Sequence, residues 1–136
     1  MSHHDQVRRF YDQIWNIPDL EAIPLVVHPD LTFRGSLGTE CRGHRELADY
    51  VRSVSGSLSS YRCDVQHVIV EGDSAAARMT FSGQHTGVFL GHAPTGRAVS
   101  WSGSAFFRFE DDLVRDLWVL GDLQALLAQL AVEVAG

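Results

Sequence analysis

The sequence predicts an α+β fold in which helices cover one side of a curled antiparallel β-sheet. Apolar residues recur every three or four positions over most of residues 1–54, as on one face of a helix. From 61 to 121 they mostly alternate with polar residues, as in strands. The chain has 136 residues, 45% hydrophobic and 21% charged, which is the size of one domain. We therefore treat residues 1–136 as a single unit.

The first half of the chain is predicted to hold three helices and one short strand. The helices are expected over 4–16, 17–28 and 44–54, and the strand over 31–35. The apolar residues of the first helix share one face, and Ser2 or Asp5 caps it. The second helix stops before Pro29, which places His28 at a helix end where the dipole favours a cation.

The second half is predicted to form a four-strand antiparallel meander and a last helix. Two alternating runs over 61–86 join at Glu71, Gly72 and Asp73, which is typical of a tight hairpin turn. Two further runs over 98–121 turn at 110–112, and the helix spans 123–130. The stretch 87–97 lacks the lysine and the strand–loop–helix context of a phosphate loop, and we interpret it as a mobile flap.

Charge and composition limit the possible partners. A formal net charge of −6 with only 11 Lys and Arg argues against nucleic acid, which requires clustered cations. No apolar run approaches the roughly 20 residues that cross a bilayer, and the polar start lacks a signal-peptide core. We therefore expect a cytoplasmic protein without a membrane partner. Cys41 and Cys63 match neither a metal site nor a disulfide framework, and we interpret both as free thiols.

Asp122 stands between the apolar run 117–120 and the last helix, and two roles compete for it. Asp is a favoured N-cap, and such a cap contributes roughly 1 kcal/mol. Alternatively, Asp122 is an acid or base at the mouth of a cavity, where burial among aromatic residues makes a carboxylate a stronger base. The two roles are compatible, and spacing alone favours the cap.

His85 is the second candidate, at the end of a predicted strand where the sheet edge should meet the mouth of a pocket. It either donates a hydrogen bond to a substrate carbonyl or ties down the loop that follows, and the sequence favours neither role. Strand alternation groups His85 with Met79 and Phe81 and puts Arg78 on the opposite, wetter face. Arg78 is therefore predicted to lie at the surface or in an oligomer contact.

The segment 81–130 carries motifs that resemble one family. It contains, in order, Ser-Gly-x-His-Thr-Gly, Pro-Thr-Gly-Arg, Phe-Arg-Phe, Trp-x-x-x-Asp and a leucine-rich end. This order resembles the SnoaL-like polyketide cyclases, or ester cyclases, of the nuclear-transport-factor-2-like superfamily, whereas residues 1–60 match in layout only. The resemblance implies a cone-shaped sheet wrapped around the N-terminal helix, with a deep apolar pocket at its open end. It also implies ring closure by intramolecular aldol condensation without metal or cofactor.

The resemblance assigns the acid/base role to Asp122, the aspartate of Trp-x-x-x-Asp. The substrate would then be an apolar or polycyclic carbonyl compound, with His85 as the carbonyl partner. A proton between two carbonyls is already acidic, so one carboxylate suffices to remove it and to return it to the alkoxide. The family often has a histidine near the position of Arg34, and the arginine departs from that pattern. Arg34 either grips a carboxylate or ester carbonyl or lies exposed at a strand end.

Other residues expected to line the pocket lie on the first helix, the first strand and the last strand: Tyr11, Trp15, Phe33, Trp118 and Leu120. Alternation puts Trp118, Leu120 and Asp122 on the same face of the last strand, and the opposite face is equally apolar. One face should line the pocket and the other should meet a second subunit. A homodimer through the sheet is therefore predicted.

Two other functions stay open at this point. A hydrolase or a hydroxylation accessory on the same cone would use Asp122 to activate a water molecule. It would need a second carboxylate or amide nearby, for which Gln84 and Asp64 are poorly placed. The other function is a small-molecule binding or dimerisation module without catalysis, which would be favoured by an apolar cavity with Asp122 serving only as a cap.

Overall fold

The structure, a computed structural model, describes residues 1–131. The helices are α1 His3–Phe10, α2 Ile23–Val26, α3 Gly43–Ser57 and α4 Leu123–Ala131. A π-helical segment, Tyr11–Asn16, continues α1, and a 3-10 turn, Leu20–Ala22, precedes α2. The strands are β1 Val27–Arg34, β2 Glu40–Arg42, β3 Leu58–Glu71, β4 Ser74–His85, β5 Ala98–Glu110 and β6 Leu113–Gly121. Within this range, no helix is both long and apolar enough to cross a bilayer.

The six strands form one curved sheet in the order β2-β1-β6-β5-β4-β3. All neighbours pair antiparallel except β1 and β6, which are parallel. The α+β class and the four-strand meander, β3 to β6, are thus confirmed. The sequence did not predict β2 or the parallel pairing, and together they extend the meander into a mixed sheet.

Both predicted hairpin turns are present. The turn between β3 and β4 contains Gly72 at φ +56°, in the left-handed region that glycine adopts readily. Between β5 and β6, Asp111 and Asp112 have φ values of +54° and +58°. Two consecutive left-handed residues give the type I′ geometry that matches strand twist, and Asp tolerates it better than most residues.

The N-terminal helix begins as predicted and changes its winding halfway. Ser2 Oγ accepts the backbone N–H of Asp5 at 3.1 Å, so Ser2 is the cap. Beyond Phe10 the backbone widens into the π-helical segment, which keeps Tyr11 and Trp15 buried against the sheet. Such wide turns are rare and often occur at functional sites.

The predicted second helix, 17–28, is α-helical only over Ile23–Val26, with a 3-10 turn at Leu20–Ala22 before it. The chain leaves α2 after Val26 and enters β1 at Val27. Val27 is β-branched, which suits a strand, and it pairs with β6. His28 therefore lies in a strand rather than at a helix end. Its Nδ1 accepts the backbone N–H of Asp30 at 3.0 Å, and its ring lies 3.7 Å from the carboxylate of Glu110.

The concave face of the sheet is apolar, and strand alternation assigned it correctly in β4. Met79, Phe81 and His85 are buried, whereas Arg78, which precedes Met79, is exposed. The helical segments pack on this face, so the core lies between the N-terminal helix and the sheet. This arrangement places the ends of α3, β4 and the loop 86–97 at one end of the enclosed space.

Candidate functional site

The N-terminal helical segments and the concave face of the sheet enclose a space that we call the inner cavity. Its walls are mostly aromatic: Phe10, Tyr11, Trp15, Phe33, Ser36, Tyr50, Tyr61, Cys63, Phe81 and Val119. Its free volume is about 20 Å³, which is room for roughly one water molecule. Side chains therefore almost fill the interior, and a larger ligand requires some of them to move.

Tyr11 provides a hydrogen-bond donor on the wall of the inner cavity. Its hydroxyl is buried and has no hydrogen-bond partner. The ring packs edge-on against Phe10 and Phe107, with centroids 4.9 and 6.0 Å away. Burial raises the pKa of Tyr11 well above its ordinary value, and neighbouring Cys63 adds to the rise. The hydroxyl consequently stays protonated and can donate to a ligand.

Tyr61 and Cys63 line the same cavity in neutral form. Burial raises the pKa of Tyr61 well above its ordinary range, with a further contribution from Cys63. Burial likewise raises the pKa of the Cys63 thiol from 9.0 to about 12. Among the described residues, no carboxylate lines the inner cavity. The wall thus offers uncharged hydroxyl and thiol groups.

A second unpartnered donor lies beside this wall. Trp101 Nε1 is buried without a hydrogen-bond partner. A Cβ atom at Gly121 would lie 3.0 Å from this nitrogen and 3.1 Å from Cβ of Ser36, which itself lines the inner cavity. The indole N–H, Gly121 and Ser36 therefore meet at one point. Because Gly121 has no side chain, the indole nitrogen fits there without a clash.

A larger space, which we call the outer groove, lies between α3, residues 37–41 and residues 88–90. Its volume is about 520 Å³, within the usual range of about 300–1,000 Å³ for ligand sites. The wall combines apolar side chains with three carboxylates, those of Glu40, Glu46 and Asp49. Across residues 1–131, no group of three His, Cys, Asp or Glu residues is arranged to hold a metal ion.

Asp122 caps α4, as one of its two predicted roles requires. Its Oδ1 accepts the backbone N–H of Ala125 at 3.1 Å, and the residue is exposed. The carboxylate does not line the inner cavity. Its neighbour Gly121, however, lies at the point where Trp101 and Ser36 meet. The capping role is confirmed, and the acid/base role stays a prediction.

His85 is fully buried and ties down the loop 86–97. Its Nδ1 lies 3.3 Å from the backbone nitrogen and 3.1 Å from Oγ1 of Thr95. A backbone N–H can only donate, so Nδ1 accepts and the proton of the neutral ring is on Nε2. Nε2 is buried without a partner. The ring of Phe89, 6.3 Å from the His85 ring, also lines the outer groove.

A family model described as SnoaL-like polyketide cyclase matches residues 5–130. The chain belongs to the SnoaL-like polyketide cyclase family. The match includes the N-terminal helices, which the sequence motifs supported in layout only. No curated protein matches the sequence at a significant level.

Solved structures share the fold of this SnoaL-like chain. A candidate SnoaL-like polyketide cyclase from Jannaschia sp. CCS1 superposes with a TM-score of 0.86 at 20% identity, covering 96% of this chain and 92% of that one. TsrD from Streptomyces laurentii gives 0.84 at 28% identity, covering 95% and 94%. IdmH from Streptomyces antibioticus, a candidate polyketide cyclase, gives 0.84 at 24% identity, covering 97% and 100%. These likenesses confirm the α+β fold that the resemblance implied.

Two residues that were predicted to line the pocket of the cyclase fold lie outside it. Trp118 is 41% exposed and Leu120 is 50% exposed, whereas Val119 between them lines the inner cavity. The placement of Trp118 and Leu120 in the pocket is therefore wrong. Alternation grouped the residues correctly, but both faces of β6 are apolar, so it could not identify the inner one.

Arg34 also lies outside the inner cavity. Its guanidinium carbon lies 5.2 Å from the centre of the Trp118 ring, and its Nη1 donates to the Val119 carbonyl at 2.5 Å. The guanidinium is therefore engaged on the outer face. Phe33, one residue earlier, points to the opposite face and lines the inner cavity together with Tyr11 and Trp15, as predicted for these three.

Sequence reasoning missed several residues of the site: Ser36, Tyr50, Tyr61, Cys63 and Trp101. Cys63 was interpreted as a free thiol, and neither it nor Tyr50 belongs to a motif. Trp101 could have been found by alternation, because it pairs with Phe81 on the inward row of the neighbouring strand. The other positions depend on how loops and the π-helical segment approach the sheet.

Proposed function

We propose that this SnoaL-like protein is an enzyme that cyclises or isomerises an apolar carbonyl compound, with the reacting carbonyl in the inner cavity. Family membership supports the class of reaction. The buried, unpartnered hydroxyl of Tyr11 carries the proposal, because an unsatisfied buried polar group costs about 1–3 kcal/mol unless a ligand pairs with it. Trp101 Nε1–H is a second such donor. Since both groups donate, the ligand supplies acceptors such as carbonyl oxygens.

The proposed chemistry balances without a co-reactant. A base removes a proton from carbon between two carbonyls, and the resulting carbanion attacks another carbonyl carbon of the same molecule. A carbon–carbon bond forms, and the new alkoxide recovers the proton. Tyr11 would donate to the oxygen on which negative charge develops, in a cavity nearly free of water where such a bond is strong.

Asp122 is the proposed base, and His85 is a proposed further donor. Asp122 would have to release the N–H of Ala125, and losing that cap costs roughly 1 kcal/mol, which ligand binding can offset. Its neighbour Gly121 adjoins Trp101 and Ser36 at the inner wall, and the Asp122 side chain, which is exposed in this structure, would have to turn inwards past it. His85 Nε2–H is buried without a partner and would donate to a carbonyl that reaches it.

A binding module without catalysis is the second candidate. It is favoured by the exposed, capping Asp122 and by an inner cavity whose described lining contains no carboxylate. Under this proposal the hydroxyl of Tyr11 recognises a carbonyl and no proton leaves carbon.

We also propose that two copies of the chain associate through the convex face of the sheet. Four apolar side chains form an outer patch there: Ile69, Phe106, Trp118 and Leu120, which are 60%, 50%, 41% and 50% exposed. Strand register aligns the first three across β3, β5 and β6. Contiguous apolar surface of this kind is typical of protein interfaces.

Deuterium exchange into naphthoylacetone, a diketone carried on a naphthalene ring, distinguishes the enzyme from the binding module. The reaction is followed by proton NMR of its methylene group in mildly acidic D₂O, with wild type, Asp122→Asn and Tyr11→Phe. An enzyme accelerates exchange, Asp122→Asn abolishes the acceleration without weakening binding, and Tyr11→Phe weakens binding by roughly tenfold. Butylnaphthalene, which lacks both carbonyls, should bind wild type and Tyr11→Phe equally.

Each result has a defined meaning. Binding without accelerated exchange would overturn the enzyme and favour the binding module. Acceleration that survives in Asp122→Asn would overturn Asp122 as the base while retaining the enzyme. Equal loss of affinity for the diketone and the hydrocarbon in Tyr11→Phe would contradict the donor role of the hydroxyl.

A further inference from the structure

The inner cavity and the outer groove are neighbours that differ greatly in size. The groove offers about 520 Å³, and the inner cavity offers about 20 Å³. A planar aromatic ligand fits the groove as it stands but not the cavity. If a reactive carbonyl is to reach Tyr11, a wall between the two spaces has to move.

Tyr50 is the wall that the two spaces share. Of the described residues, it alone lines both the outer groove and the inner cavity. It extends from α3 and is half-buried. Its ring lies 5.7 Å from that of Trp15 and 5.5 Å from that of Phe33, both of which line the inner cavity. The Tyr50 ring thus forms part of the wall of the inner cavity.

The surroundings of Tyr50 leave space for the ring to move. A Cβ atom at Gly35 would lie 2.5 Å from the Tyr50 hydroxyl oxygen, so the hydroxyl occupies the position that any other side chain would fill. On the opposite side lies the outer groove, which has volume to receive the ring. Rotation about the side-chain bonds of Tyr50 would move the ring into the groove without a change in α3.

We propose that Tyr50 is the door between the outer groove and the inner cavity. The body of a ligand would remain in the groove, and only an end narrow enough to pass the displaced ring would reach Tyr11. Tyr50 would therefore determine which end of a substrate reacts. This inference rests on the proposed role of the inner cavity as the reactive site.

The two cysteines provide a test that needs no substrate. Cys63 lines the inner cavity, and Cys41 lines the outer groove. Methyl methanethiosulfonate, a small uncharged reagent, is applied to the folded protein, and peptide mass mapping measures modification at each thiol. We expect Tyr50→Ala to raise the rate at Cys63 by roughly tenfold or more, while the rate at Cys41 changes little. Tyr50→Phe retains the ring and should react at Cys63 much more slowly than Tyr50→Ala.

Phe89→Ala is the matched control. It also removes an aromatic ring from the wall of the groove, but Phe89 does not line the inner cavity. Its Cys63 rate should equal that of wild type. An equal Cys63 rate in Tyr50→Ala and wild type, or a larger increase in Phe89→Ala, would overturn Tyr50 as the door.

A second measurement uses wild type alone and so does not depend on whether Tyr50→Ala folds. In wild type, modification of Cys63 is followed at low, non-denaturing urea concentrations. Opening of a door exposes little surface, so the rate should be nearly independent of urea; access by global unfolding would make it rise steeply and would overturn the proposal.

Ligand protection separates this inference from the proposed function. Naphthoylacetone that enters the cavity should protect Cys63. Protection of Cys41 alone, together with the faster Cys63 reaction in Tyr50→Ala, would retain the door and overturn the inner cavity as the binding site.

Discussion

The side-chain amide of Asn16 forms two hydrogen bonds with the backbone of Cys63. Its Nδ2 donates to the Cys63 carbonyl at 3.0 Å, and its Oδ1 accepts the Cys63 N–H at 2.7 Å. Cys63 lies in β3, one of the two edge strands of the sheet. The amide therefore pairs with the strand edge as a backbone peptide group would. It holds the end of the π-helical segment against the wall of the inner cavity.

Asn16→Ala should lower the free energy of unfolding by about 2 kcal/mol, because it removes two hydrogen bonds and leaves two backbone groups partly unpaired. Urea unfolding followed by circular dichroism measures the change. Gln13→Ala, an exposed position on the same segment, is the control and should change stability by under about 0.5 kcal/mol. Equal losses in the two variants would contradict the fastening role.

Asp122→Ala should destabilise the protein by about 1 kcal/mol, whereas Asp122→Asn should leave stability nearly unchanged, because Asn caps helices as well as Asp does. Thermal and urea unfolding of the two variants provide the comparison. Asn is also the variant that removes the proposed base, so its activity can be interpreted without a change in folding. A loss of stability in Asp122→Asn as large as in Asp122→Ala would contradict the cap.

Stability should fall at alkaline pH because burial raises the pKa of Cys63 from 9.0 to about 12. As pH rises above about 9, the thiol ionises in the unfolded chain first, so the unfolded state binds fewer protons and gains stability. The contribution is fully present below pH 9 and is lost as pH rises towards 12. Between about pH 8 and 10, wild type should lose about 1 kcal/mol more than Cys63→Ala, in urea unfolding with Cys41 kept in both. Parallel pH profiles would contradict this.

Leu120→Glu should shift the protein towards monomer, because it places a charge in the outer patch, where association would desolvate it. Sedimentation velocity over a concentration series measures the oligomeric state. Leu25→Glu introduces the same charge at an exposed position on α2 and should not change association. A wild-type protein that is monomeric at all concentrations would exclude the dimer.

The sequence was most informative where local chemistry decides the structure. Alternation assigned the buried row of β4, and Asp111 with Asp112 marked a hairpin turn. It was least informative where distant segments meet, because a period of two or 3.6 residues carries no information about partners. The parallel neighbour of β6, the strand β2 and the shared wall at Tyr50 are therefore properties of tertiary packing.

The site shows the same division. Asp122 and His85 belong to recognisable motifs. The structure shows their non-catalytic roles, in which Asp122 caps α4 and His85 anchors a loop. Tyr11 was identified from a helical face, but its lack of a hydrogen-bond partner could not be read from spacing. Whether a polar atom is satisfied depends on every neighbour, so it can be established only from coordinates.

The π-helical segment implies that the walls of the inner cavity depend on a single residue of chain length. A π-turn accommodates one residue more than an α-turn, so shortening Tyr11–Asn16 by one residue would restore ordinary winding. The residues beyond such a deletion would keep nearly the same orientation about the helix axis, because the extra residue is taken up within the wide turn. Trp15 would still face Tyr50 and Asn16 would still reach Cys63, but the wall between Phe10 and Asn16 would be one residue shorter. A deletion within the α-helical His3–Phe10 would instead rotate everything beyond it by roughly 100°. Insertion and deletion in this segment, rather than substitution, are therefore the changes that would alter the size of the inner cavity among relatives.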